Sequence, residues 1–128
     1  MLDHLGLHVS HYQRSKHFYT QALAPLDASL VMEVTAEQTG DRAHAGFGCA
    51  GKPSLWISET STPIHGVHVA LTAKDRASVD AFYAAALHHG GRDNGAPGLR
   101  PHYHPHYYAA FVLDQDGNNI EAVCHQPM

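Results

Sequence analysis

Charge is scarce in this chain of 128 residues: eight Lys and Arg stand against twelve Asp and Glu, a formal net charge of −4. With no basic stripe, nucleic acid is excluded as the expected partner. No apolar run approaches the roughly 20 residues that a membrane span requires, and the N-terminus lacks a basic region followed by a hydrophobic one. The chain is therefore expected to be soluble, unexported and cytoplasmic, with no membrane partner. Cysteine is almost missing: Cys49 and Cys124 form no spacing motif and are expected to be buried free thiols in a reducing compartment. Size alone must supply the core, and residues 1–128 are expected to form one domain. Histidine is what the chain has in excess, 13 residues spread along the sequence rather than gathered in one tract.

Residues 1–64 and 65–128 read as two diverged copies of one unit at an offset of 64. His4-Leu5-Gly6-Leu7 matches His68-Val69-Ala70-Leu71, and Phe18-Tyr19-x-x-Ala22-Leu23 matches Phe82-Tyr83-x-x-Ala86-Leu87. Ala45-Gly46-Phe47 then matches Ala109-Ala110-Phe111 in the same frame. Repeated units pack about a pseudo-twofold axis, so equivalent residues such as His4 and His68 are expected to converge.

Alternation in Leu2–Val9 puts Leu5, Leu7 and Val9 on one face of a strand and His4, Gly6 and His8 on the other. Ser10 and Gln13 have the form of a capping box for a helix that carries Ser15, Phe18, Tyr19, Ala22 and Leu23 inward and stops before Pro25. A strand is expected over Leu30–Val34, a loop over 36–42, and strands over His44–Cys49 and Ser54–Ser58 around Ala50-Gly51-Lys52-Pro53. In the second copy, Val67–Ala73 is a strand, Asp75 caps a helix ended by Gly90-Gly91, and any strand within Arg92–Pro105 should be short. Tyr107–Leu113 and Asn118–His125 make the closing hairpin, turned by Asp116-Gly117. Each half is thus βαβββ. The fold class is α+β: paired βαβββ modules forming a curved eight-stranded half-barrel sheet, helices outside, with His4, His8, His68 and Thr72 on the concave inner face.

These motifs resemble the vicinal oxygen chelate superfamily, which includes glyoxalase I, bleomycin-resistance proteins, fosfomycin-resistance proteins and extradiol dioxygenases. The resemblance rests on Asp3-His4-Leu5-Gly6-Leu7-His8-Val9, Ser15-x-x-Phe18-Tyr19, Gly66-Val67-His68-Val69-Ala70-Leu71 and Asp114-Gln115-Asp116-Gly117-Asn118-Asn119-Ile120-Glu121. The last is similar to the family's D-P-D-G-x-x-I-E signature, with Gln115 where Pro is commoner. The resemblance implies metal ligands at His4, His68 and Glu121, and a small-molecule substrate chelated through adjacent oxygens. The fourth ligand position, 64 residues before Glu121, holds Ile57, an aliphatic residue beside Trp56. Two His and one Glu suit Fe(II) with open positions or Zn²⁺ with a bound water, and Mn or Ni are equally compatible. The resemblance also implies a homodimer.

Two functional readings stay open on this basis: a metal-dependent lyase, isomerase or dioxygenase, and a ligand-binding or drug-sequestering protein that performs no chemistry. In either, Glu121, His8, His102, His104 and Tyr107 are candidates for hydrogen bonding or proton transfer to a ligand. Trp56, Ile57 and Thr72 are candidate pocket residues. His65 falls on the opposite face and is read as structural.

Overall fold

The computed structural model describes residues 2–40, 42–62 and 65–128. The expected boundary between the halves, at residue 64, and one position of the expected 36–42 loop lie outside the described residues. The first module runs β1 (Leu5–Val9), α1 (Tyr12–Leu23), β2 (Ser29–Val34), α2 (Ala36–Thr39), β3 (His44–Gly48) and β4 (Leu55–Glu59). The second runs β5 (His68–Thr72), α3 (Arg76–His88), β6 (Arg92–Leu99), β7 (Tyr108–Leu113) and β8 (Asn119–Cys124). The βαβββ order recurs in both, as the alternation and the repeat require. Hydrogen bonding divides the eight strands into two four-stranded sheets, β1-β4-β3-β2 and β5-β8-β7-β6, instead of the single continuous sheet expected. In each sheet the first strand pairs in parallel with the last.

The outer face of each sheet carries the core. Leu7, Val9, Phe47, Leu55 and Ile57 in the first module and Val69, Val112, Ile120 and Ala122 in the second are buried beneath Phe18, Ala22, Val79, Phe82 and Ala86 of the helices. Each large apolar side chain so buried contributes about 1.5–3 kcal/mol. The halves are joined through their helices, α1 packing on α3. Fully buried Tyr19 reaches across from α1 and donates its hydroxyl to Asp114 Oδ2 (2.6 Å). Burial, then the Asp114 charge, pushes that phenol well above its ordinary pKa.

Asp114 sits in the Asp114-Gln115-Asp116-Gly117-Asn118 turn between β7 and β8, and that turn is a structural knot. Asp114 Oδ1 also accepts from the backbone N–H groups of Asp116 and Asn118, and Asn118 Nδ2 donates to Oδ2. Asp116 accepts from the Ser10 N–H at the end of β1, and Asn118 Oδ1 accepts from the Val67 N–H just before β5. One turn thereby holds the entry to α1 and the start of β5. His65 Nδ1 bonds the Asp116 carbonyl, in keeping with a structural role.

Several local expectations need correction. Cys124 is a buried free thiol as expected, but Cys49 is exposed, because it leads into the β3–β4 turn. Ser10 does not cap α1: the N-cap is His11, without a side-chain bond, and the Tyr12 N–H is instead taken by Glu59 Oε1 from the end of β4 (2.8 Å). The 36–42 stretch contains the short helix α2, made by Thr35 and Gln38 in a reciprocal capping box. The strand β6 is long, spanning Arg92–Leu99, because an edge strand with two register shifts tolerates Gly95, Pro97 and Gly98. Asp75 does cap α3, accepting from the Ser78 N–H (2.7 Å).

Candidate functional site

The inner faces of the two sheets carry the polar residues, and strand parity decides which. In β1 and the residue before it, His4, Gly6 and His8 are exposed while Leu7 and Val9 are buried; in β5, His68, Ala70 and Thr72 are exposed while Val69 is buried. That much follows the expected alternation. In β4, Leu55 and Ile57 are buried and Trp56 turns inward. Ile57 belongs to the core, with no exposed surface, and is not a pocket residue.

Register shows why. Gly6 lies opposite Trp56, and Ala70, its counterpart 64 residues on, lies opposite Glu121. The repeat partner of Glu121 is therefore Trp56, at an offset of 65. β3 and β7 agree, since Gly46 pairs with Trp56 and Phe111 pairs with Glu121. The match of Ala45-Gly46-Phe47 to Ala109-Ala110-Phe111 is thus one residue out of step, and Phe47 lies in the core while Phe111 lies on the inner face. The extra residue lies between α3 and β7. Parity held the signal: Leu55 and Ile57, two apart and both aliphatic, fix the core side and leave Trp56 opposite.

On the second module's inner face Glu121 is almost wholly buried, 1 % exposed, at the foot of an otherwise open surface. His68 Nε2 donates to its Oε1 (2.8 Å), and the Tyr107 hydroxyl donates to its Oε2. Burial first, then the Glu121 hydrogen bond, pushes the Tyr107 phenol up to about 12, so it stays a donor at neutral pH. Phe111 flanks His68 with ring centroids 6.3 Å apart, and the Arg100 guanidinium lies over that ring, 5.4 Å from its centroid. Arg100 is fixed by donating to the Gly98 and Ala96 carbonyls, which anchors the loop that brings Tyr107 over the carboxylate. Phe111, Arg100 and the ring of His125, 5.1 Å from Tyr107, were not among the expected site residues. Phe111 was misplaced by the shifted frame, whereas no local pattern marks Arg100 or His125.

The first module's inner face is different in kind. A depression of about 420 Å³ is lined by His4, Gly6, His8, Val34, His44, Trp56 and Ser58, all from that module. Trp56 lies flat against Gly46, where an added Cβ would come within 3.0 Å of the indole. His4 Nδ1 donates to Asp3 Oδ1 (2.7 Å), not to any second-module group. His4 and His68 therefore do not converge within the chain. His8 is the first-strand histidine that reaches the seam between modules, where Gly6, Leu7, His8 and Val67 line a narrow cavity.

Of the other candidates, Thr72 lines an apolar cavity of about 200 Å³ with Leu71, Leu23, Phe47 and Leu55, away from Glu121. His102 and His104 are exposed on the loop before Tyr107; the His102 ring packs on Tyr103 and His104 on His106 and His125. Among the described residues no three His, Cys, Asp or Glu side chains group so as to hold a metal ion. Within one chain the residues do not fit a metal: His68 and Glu121 are together, and His4, the third donor, faces elsewhere. Among the described residues no helix is long and apolar enough to cross a membrane.

The family model described as Glyoxalase/Bleomycin resistance protein/Dioxygenase superfamily matches residues 1–122. No curated protein matches the sequence. Among solved structures, a glyoxalase/bleomycin resistance protein from Albidiferax ferrireducens T118 superposes with a TM-score of 0.78 at 24 % identity, covering 97 % of each chain. A glyoxalase I variant from Zea mays gives 0.74 at 22 % identity, over 95 % of this chain and 46 % of that one. A fosfomycin resistance protein variant from Listeria monocytogenes, complexed with Mn(II) and 1S,2S-dihydroxypropylphosphonic acid, gives 0.68 at 16 % identity, over 96 % and 88 %. At these identities the superpositions speak for the fold.

Proposed function

Because the chain belongs to the Glyoxalase/Bleomycin resistance protein/Dioxygenase superfamily, we propose that it is a small cytoplasmic enzyme acting on a small molecule held through adjacent oxygens, in a site shared between two copies of the chain. The observation that carries this reading is Glu121, a carboxylate 1 % exposed at the base of an open face and held, among the described residues, by His68 and Tyr107. Taking a carboxylate out of water is costly, and a hydrogen-bonded pair with no structural duty elsewhere is the kind of group that a ligand site retains.

The inner face with His4 and Trp56 and the inner face with His68 and Glu121 are both uncovered in one chain. A homodimer that lays the first face of one copy over the second face of the other would bring His4, His68 and Glu121 to one divalent ion, with Trp56 leaving the fourth position without a donor. Such an ion, when bound, supplies Lewis-acid stabilisation of negative charge on substrate oxygens. Tyr107 keeps its proton, and its hydroxyl, once released from Glu121, would give a hydrogen bond to a substrate oxygen. Phe111 and Trp56 provide flat apolar walls that exclude water, and His8, His102 and His104 lie at the rim.

The test is complementation. His4→Ala and Glu121→Gln should each lower metal affinity at least tenfold with the fold intact, and mixed dimers of the two variants should regain a fraction of the sites. A protein that sediments as a monomer at high concentration while binding metal at full affinity would exclude a shared site. A second reading, metal-free ligand binding, is favoured by one specific observation: both Glu121 oxygens already have partners. Tight binding of an aromatic ligand that quenches Trp56 fluorescence equally with and without EDTA would select it.

A further inference from the structure

We propose that His17 and His89 form a separate metal-binding clamp across the module boundary, taking one borderline divalent cation of the Zn²⁺ or Ni²⁺ type. His17 lies on the exposed side of α1, and His89 is the C-cap of α3, its backbone N–H fixed by the Ala85 and Leu87 carbonyls. Their rings meet at the place where the two helices pack, with His17 Nε2 and His89 Nδ1 3.1 Å apart. Two imidazoles bound to one ion at metal–nitrogen distances of about 2.0–2.1 Å, at tetrahedral or octahedral angles, have donor atoms about 2.9–3.4 Å apart. The observed spacing is already inside that range. The rings stand at 68° to each other, and an ion would replace the hydrogen bond between the two nitrogens once both rings turn to aim their lone pairs at it.

His17 is exposed and His89 half-buried, so an ion has access and water can complete its shell. Imidazole selects Zn²⁺, Ni²⁺ or Cu²⁺ over the hard cations Mg²⁺ and Ca²⁺. The loop histidines are less suited, because His104 Nδ1 already accepts from the His106 N–H (3.0 Å). The clamp is independent of the Glu121 site.

Titration of Zn²⁺ into the Glu121→Gln protein by calorimetry separates the two sites. One binding event should remain, weakened at least tenfold by His17→Gln or His89→Gln and unchanged by His104→Gln. An ion that binds only the folded state also raises the urea midpoint, so Zn²⁺ should raise it in the Glu121→Gln parent and in neither clamp variant. The proposal is overturned if the Glu121→Gln protein binds no Zn²⁺, if both clamp variants bind it as the parent does, or if His104→Gln is the change that abolishes binding.

Discussion

In the first module Gly6 of β1 lies beside Trp56 of β4, whereas in the second the equivalent pair is Ala70 and Glu121. On the helix-facing side the same two modules are nearly interchangeable: Phe18 and Phe82, and Ala22 and Ala86, have no exposed surface at equivalent positions. The contrast locates where each copy was free to change. Core positions must fill a fixed volume between helix and sheet, so both copies keep similar side chains there. Inner-face positions meet no helix, and one has become an indole laid on Gly46 while the other has become a carboxylate held by His68 and Tyr107. The asymmetry leaves three potential donors where a symmetric pair of modules would have four.

The largest effect expected comes from placing a carboxylate on either side of β4. Ile57→Glu would bury an unpaired charge in the core and should cost about 4 kcal/mol or more, much of the stability of a domain this size. Trp56→Glu should leave the urea midpoint within a modest range of the parent and, in the shared-site reading, tighten metal binding by restoring the missing donor. Equal destabilisation by the two variants would break the comparison, because it would put both side chains in the core.

A second contrast separates the two hairpin turns. The β3–β4 turn, Ala50-Gly51-Lys52-Pro53, is exposed or half-buried, whereas the β7–β8 turn buries Asp114, Asp116 and Asn118. Removing the acceptor in Asp114→Ala strands the Tyr19 hydroxyl, the Asn118 amide and two backbone N–H groups, and should cost about 3 kcal/mol. Lys52→Ala, in the other turn, should change the urea midpoint little. If the two substitutions have similar effects, the second turn is not the knot that joins the modules.

Most of the fold was legible because it follows from strand parity and helix periodicity: His4, His8 and His68 fall on the inner face, and Phe18 and Phe82 on the inward face of the helices. The frame failed where an ungapped match between Phe47 and Phe111 hid a one-residue insertion, since a strand has period two and a single slip exchanges its faces. The Glu121 partners were partly legible. His68 and Tyr107 were among the candidates, yet their meeting depends on the path of the loop from Arg100, which no local pattern specifies. The division into two sheets was not legible either, because a repeat fixes the order of strands within a unit and leaves the join between units open.

The smallest effect expected concerns Tyr107, whose hydroxyl distinguishes the second inner face from the first. Its phenol is pushed up to about 12 in the folded protein, chiefly by burial and then by Glu121. The unfolded chain titrates this group near the ordinary value of about 10. Stability from the neutral phenol is therefore complete below pH about 10 and is lost as pH rises toward 12. Tyr107→Phe should cost about 1–2 kcal/mol at neutral pH by leaving one Glu121 oxygen without its donor. The gap between parent and variant should then narrow as pH climbs through that window, because only the parent has this proton to lose. Urea midpoints for both proteins from pH 8 upward, within the range where each refolds, measure the gap directly. A gap that stays constant with pH would mean that Tyr107 stabilises by packing against Tyr103 and His125 rather than through its bond to Glu121.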